Sequence, residues 1–176
     1  MTLFLKDLLL ILMVGFTMLM LATTISFFFI KIPSVPSSRR LLNLVFEQID
    51  FVPNATFIDV GSGGGRVVFQ AAKHGLQSHG YEISILPYLW SLAAKLILQS
   101  KAQLHFANFF KADLRHAKYI YCYLFPETVL EVWEKIRREN PPGTFLITNT
   151  FNLKSEKPVK TLLDHQQKPK IYIYQT

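Results

Sequence analysis

Cysteine is almost missing from this chain: Cys122 is the only one among 176 residues. That excludes an intramolecular disulfide and fits a reducing compartment. The five histidines, at 74, 79, 105, 116 and 165, show no paired ligand spacing, so no metal centre is expected. A serine-hydrolase elbow needs G-x-S-x-G, which Gly61-Ser62-Gly63 does not supply. A dinucleotide fingerprint needs G-x-G-x-x-G, and Arg66 stands where its last glycine belongs. No internal repeat is present. Acid is also scarce, with 12 Asp and Glu against 19 Lys and Arg, a net charge of +7.

Charge is absent altogether from Leu8 to Ile30, where Thr17, Thr23, Thr24 and Ser26 are the only polar side chains. As a helix rising about 1.5 Å per residue the run spans roughly 34 Å, enough for a hydrocarbon core of about 30 Å. A signal peptide has a shorter apolar region and a small-residue cleavage site, whereas Ser26 is followed by Phe27-Phe28-Phe29-Ile30. An uncleaved, single-pass transmembrane anchor is therefore expected. Lys31, Arg39 and Arg40 follow it closely while Lys6, offset by Asp7, precedes it, which directs the C-terminal part to the cytoplasm, or to the matrix of a mitochondrion. The basic excess lies almost wholly after residue 30. Beside an anchor it faces anionic lipid headgroups more simply than nucleic acid, and no nucleic-acid partner is expected. The remaining residues, about 145, suffice for one compact domain.

What is present after the anchor is an alternation of strand and helix patterns. Pro33 and Pro36 with Ser34, Ser37 and Ser38 read as an extended linker. Arg39 to Ile49 places Leu41, Leu42, Val45, Phe46 and Ile49 on one helical face. Strands are expected at 56–60, 76–82, 103–106, 118–124 and 144–149, and helices at 66–74, 84–100 and 127–139. Ser84 is the expected N-cap of the second of these helices. Tyr119, Tyr121 and Tyr123 fall on one face of the fourth strand and Ile120, Cys122 and Leu124 on the other. Such alternation implies a parallel sheet covered on both faces. The tail, 159–164 and 170–175, reads as a closing antiparallel hairpin. The divisions are 1–30 anchor, 31–50 linker and N-terminal helix, and 51–176 the main domain.

The chemistry concentrates in Phe57-Ile58-Asp59-Val60-Gly61-Ser62-Gly63-Gly64-Gly65-Arg66, a strand that ends in an acid, runs through glycines and opens a helix. Glycines at 61, 63 and 65 let backbone turn sharply and approach a ligand, and the helix N-terminus offers free N–H groups to an anion. Glu82 closes the next strand, where a carboxylate can accept hydrogen bonds from both hydroxyls of a ribose. At these residues the chain resembles the class I S-adenosylmethionine (SAM) dependent methyltransferases, whose first motif is an acid followed by G-x-G-x-G. The resemblance implies a Rossmann-like α/β fold, SAM as cofactor, and Asp59, Gly61, Ser62, Gly63, Gly65 and Glu82 as cofactor-binding residues. Asn108, just past the third strand, stands where the family keeps an acid or amide for the adenine amine; a loop cap is the equally weighted alternative.

Taken with Val35-Pro36-Ser37-Ser38, Ala71-Ala72-Lys73, Gly80-Tyr81-Glu82, Tyr123-Leu124-Phe125-Pro126 and Ile171-Tyr172-Ile173-Tyr174, the order of motifs looks like the small membrane-anchored protein-lysine methyltransferases. That family includes enzymes modifying the ATP synthase c subunit and the adenine nucleotide translocase. It implies a membrane-protein substrate, a hydroxyl at Ser37 able to reach the cofactor, and an acceptor lip at Tyr123, Phe125 and Pro126. Gly64 departs from it, replacing an acid. No general base can be named. Methylation of a lipophilic quinone or lipid, or a non-catalytic binding or assembly role for the same fold, are the alternatives. Asn140-Pro141-Pro142 imitates an amine-holding motif but reads as a turn.

Overall fold

The computed structural model describes residues 2–30 and 37–176, with the side chains of 2–4 and 25–30 left aside. Most of the expected linker, residues 31–36, lies outside the described residues. The helices are α1 (Thr2–Ile30), α2 (Arg39–Gln48), α3 (Arg66–Lys73), α4 (Ile85–Leu98) and α5 (Pro126–Glu139). The strands are β1 (Thr56–Val60), β2 (Gln77–Glu82), β3 (Gln103–Phe106), β4 (Tyr119–Cys122), β5 (Phe145–Asn149), β6 (Lys160–Leu163) and β7 (Pro169–Gln175).

All seven strands form one sheet in the order β3-β2-β1-β4-β5-β7-β6. β1 to β5 run parallel, as the intervening helices require, and β7 returns antiparallel between β5 and β6. The reversal between β1 and β4 in the strand order opens a crevice at the carboxyl ends of β1 and its neighbours, the usual ligand position in such sheets.

Strand alternation divides the core. Phe57, Tyr119, Tyr121, Ile147, Ile171 and Ile173 pack against Leu42, Val45 and Phe46 of α2 and Val67 and Ala71 of α3. Ile58, Val60, Ile120, Cys122, Leu146 and Tyr174 turn the other way, onto Val129, Val132, Trp133 and Ile136 of α5. Each such fully buried side chain contributes about 1.5–3 kcal/mol relative to exposure. The tyrosine face and the Ile-Cys-Leu face of β4 are thus separated as expected. Its pairing ends at Cys122 rather than Leu124, because the next two residues leave the sheet for the crevice. Phe69 is buried with Val68 and Ala102 between α3 and the β3 side of the sheet.

α4 stops at Leu98 where Gln99 adopts a left-handed conformation, φ 48°. Ser84 is its N-cap by backbone position, without a side-chain cap bond. The Asn140-Pro141-Pro142 segment is the turn into β5, and the Asn140 side-chain amide donates to the Leu114 carbonyl. α1 is a continuous helix with Leu5–Thr24 apolar and long enough to cross a membrane, and none of that stretch is buried in the protein.

Candidate active site

The glycine loop is built by its backbone angles. Gly61, Gly63 and Gly65 have φ of 77°, 51° and 80°, a region that residues with a Cβ adopt only at a cost. The N–H groups of Gly61 and Ser62 donate to the Tyr81 carbonyl at 3.0 and 2.9 Å, which pins the loop to the end of β2. Gly65 is the N-cap of α3, and a Cβ there would lie 2.6 Å from the Phe69 ring. Gly64 faces Trp90 of α4: an added Cβ would sit 3.1 Å from the indole Cδ1. The missing acid at 64 thus has a steric counterpart, since any side chain there meets Trp90.

The loop, the ends of β1, β2 and β4 and the start of α2 enclose a cleft of about 670 Å³. Ser37, Asp59, Gly61, Ser62, Gly63 and Glu82 all line it. Tyr123 and Leu124 form its wall at the end of β4. Gly65 and Asn108 do not line it. Gly65 shapes the turn from behind, while the Asn108 carbonyl oxygen accepts from the Phe110 N–H at 2.9 Å and caps a short 3-10 turn, so the capping geometry is the one formed. Phe125 and Pro126 also lie outside the lining, at the N-cap and first residue of α5.

Glu82 is buried and braces the loop. Its carboxylate accepts from Gly63 N–H at 2.8 Å and from Ile83 and Ser84 N–H at 2.9 and 2.7 Å. Of roughly four lone-pair sites on a carboxylate, about one remains for a ligand. Asp59, beside it, is also buried, and its Oδ2 has no partner. Burial, then the Glu82 charge, push its pKa up to about 8.

Sequence reasoning missed a hydroxyl relay on this face. β-sheet register places Asp59 beside Tyr121. The Tyr121 hydroxyl lies 3.1 Å from Ser37 Oγ and accepts from Asn149 Nδ2 at 3.0 Å. Arg66 Nη1 donates to the Ser37 carbonyl at 2.9 Å, so the segment before α2 is tied to both the sheet and the glycine loop. Burial raises the Tyr121 pKa, more than its two hydrogen bonds lower it, so it stays a neutral phenol. The parity of 59, 121 and 149 along their strands is the signal that could have found this group.

The strand order, with β7 inserted antiparallel between β5 and β6, and the acid-glycine loop beneath a second strand-end acid define the class I SAM-dependent methyltransferase fold. Solved structures agree on the fold: a Salinibacter ruber RNA methyltransferase in complex with S-adenosyl-L-homocysteine matches with TM-score 0.73 and 22% identity, over 80% of this chain and 93% of that one. A Lactobacillus delbrueckii ribosomal protein L11 methylase matches with TM-score 0.64 and 16% identity over 77% of each chain. The model of the ANTKMT methyltransferase domain matches residues 59–160, and the chain belongs to that family.

Among curated relatives, the mouse adenine nucleotide translocase lysine N-methyltransferase is 27% identical over 74% of this chain and 58% of its own length. A protein-lysine N-methyltransferase of Saccharolobus islandicus is 24% identical over 81% and 92%. The human lysine N-methyltransferase of the ATP synthase c subunit is 24% identical over 61% and 47%. The chain therefore spans about half the length of the mammalian relatives and nearly all of the archaeal one. Among the described residues no cluster of metal-ligating side chains is present.

The cofactor of this family is S-adenosylmethionine, and the cleft fits it. Positive-φ glycines leave the loop without side chains on the ligand side, the Asp59 Oδ2 is an unpartnered acceptor in the wall, and Glu82 keeps a free lone pair beside it. These acceptors match a ligand rich in donors, an ammonium and two ribose hydroxyls.

Proposed function

We propose that this chain is a membrane-anchored, SAM-dependent protein-lysine N-methyltransferase that acts on a lysine of a membrane protein, with its domain on the cytoplasmic side, or the matrix side of the mitochondrial inner membrane in a eukaryote. The observation that carries the reading is the coincidence, in one chain of the ANTKMT family, of a braced SAM cleft and a membrane-length apolar helix, α1. The names of the relatives, protein-lysine methyltransferases directed at the translocase and the c subunit, support the acceptor class.

The bound cofactor supplies a sulfonium-activated methyl group. The chain's residues have three tasks. Glu82 holds Gly63 and the start of the loop to α4 in place, and Asp59 and Ser37 present oxygens to the cofactor. Tyr123 and Leu124 line the wall at the end of β4, the side on which a class I fold receives its acceptor. An amine near pKa 10.4 must lose its proton to be nucleophilic, and partial desolvation against Tyr123 and Leu124 favours the neutral form. The neutral amine would take the methyl group from S-adenosylmethionine held by the glycine loop, Asp59 and Glu82; the thioether would be left neutral and the product would be a methylammonium, the single proton lost having gone to water beforehand. Positioning carries the rate.

The test is transfer of a tritiated methyl group to membranes by the full chain. Label in a protein band, recovered as methyl-lysine, is the expected result; label in the lipid extract identifies a lipophilic acceptor, and none at all a binding module. Cofactor affinity provides the second arm. Glu82→Ala removes a charge-assisted acceptor and the loop brace, weakening binding by roughly 1.5–3 kcal/mol, or about 10–150-fold. Gly63→Val, at φ 51°, abolishes it. Unchanged affinity in both variants overturns the site assignment.

A further inference from the structure

Helix α4 is amphipathic the wrong way round. Its outward stripe, at positions 89, 90, 93, 96 and 97, is Leu, Trp, Ala, Leu and Ile, with Trp90 70%, Leu96 79% and Ile97 82% exposed. Its fully buried residue is a serine, Ser91, whose hydroxyl is spent on the Tyr88 carbonyl at 2.7 Å. Leu86 and Leu92 are half-buried against the domain, but Leu89, Leu96 and Leu98 are left in solvent. The strip widens at its start, where Tyr88 meets the exposed Phe106 of β3 with ring centroids 5.3 Å apart. A contiguous apolar surface of this kind marks a contact site.

We infer that this face of α4 lies in the interfacial layer of a lipid membrane, as an in-plane contact additional to the spanning helix. Three observations select lipid as the occupant. α1 packs alongside α4, so a membrane that holds α1 reaches α4 too, and the exposures above persist with α1 in place. α4 carries no acid, its one charge is Lys95, and exposed Lys101 lies three residues past its end, a sign that suits anionic headgroups. The stripe is aliphatic with a tryptophan near its N-terminal end, whose amphipathic ring favours the headgroup boundary. Trp90 and Leu98 are also among the residues that line the cleft. A membrane contact along this face therefore holds the cleft close to headgroup depth, where a lysine of an integral membrane protein emerges. The inference rests on the membrane anchoring proposed above but not on methyl transfer.

The chain has two tryptophans, of which Trp133 is buried with its indole N–H donating to Glu156. The experiment reconstitutes the full chain in phosphatidylcholine vesicles containing phosphatidylglycerol. Flotation reads the anchoring, and quenching by lipids brominated near the headgroup end or near the terminus of the acyl chain reads α4. A blue-shifted Trp90 component, quenched about twofold and more strongly by the shallow bromines, is expected for an interfacial residue. Trp90→Phe removes that component, and the Leu96→Glu, Ile97→Glu double variant suppresses it while circular dichroism stays unchanged. Three results overturn the inference: vesicle-bound chain whose Trp90 is quenched by acrylamide and not by bromine, which puts α4 in water; a blue-shifted but bromine-insensitive Trp90, which means a protein surface covers it; or no flotation, which removes the anchor as well. Shallow quenching in a chain that methylates nothing leaves the lipid contact standing and refutes the proposed activity alone.

Discussion

Replacing Asp59 by asparagine tests how the cofactor wall is built. In the folded chain the Asp59 carboxyl is buried, has an unpaired Oδ2 and lies next to Glu82, so it keeps its proton up to about pH 8; its unperturbed value is 3.8. Between those values the folded state binds a proton that the unfolded state has released. This contribution to stability is therefore fully present below pH 3.8, declines as pH rises, and is lost once pH passes about 8. The slope is about 1.4 kcal/mol per pH unit, so from pH 5 to pH 7 the wild type loses roughly 3 kcal/mol through this one group. Asparagine has nearly the same shape and cannot ionise. The assay is urea unfolding of the full chain in non-ionic detergent at pH 5, 6 and 7, taking the difference between wild type and variant so that other titrating groups cancel. The variant should gain on the wild type by roughly 3 kcal/mol over that range. A difference constant within about 0.5 kcal/mol, the usual limit of additivity, refutes the reasoning, because it means Asp59 is already ionised when folded.

Tyr121→Phe leaves the buried Asn149 amide without its acceptor and Ser37 without its tether, which should cost about 1–3 kcal/mol in urea unfolding and weaken cofactor binding in calorimetry. Additivity with Ser37→Ala in binding would show that no relay connects them. His79 and His105, with Nδ1 and Nε2 3.2 Å apart across β2 and β3, both have pKa values held below 6.5, His79 by burial and then by His105, and His105 by burial and then by Lys95. Their contribution is present above pH 6.5 and lost as pH falls through the folded values, so His105→Gln should flatten the loss of stability between pH 7 and pH 5. An unchanged acid profile in that variant argues against the pair.

The sequence by itself determined the elements and the loop. Apolar runs bounded by glycine and proline placed the strands and helices after residue 38 to within a residue or two, while α1 begins at Thr2, six residues before the uncharged run; the acid-glycine spacing marked the loop that lines the cleft, because both are local properties of the chain. Its limits are equally physical. Asn108 as a cap, Phe125 and Pro126 outside the cleft, and Glu82 as a brace are decided by which backbone N–H groups and cavities lie within about 3 Å, and only the assembled sheet sets that. Tyr121 and Asn149 meet because parallel pairing of β4 and β5 brings odd-numbered positions to one face, and Ser37 reaches them from the segment before α2, which Arg66 holds by its carbonyl. The tertiary structure alone also revealed which side of α4 faces out. The packed domain buries Ser91 and leaves Leu89, Trp90, Leu96 and Ile97 to the surroundings, which no local pattern in the sequence decides.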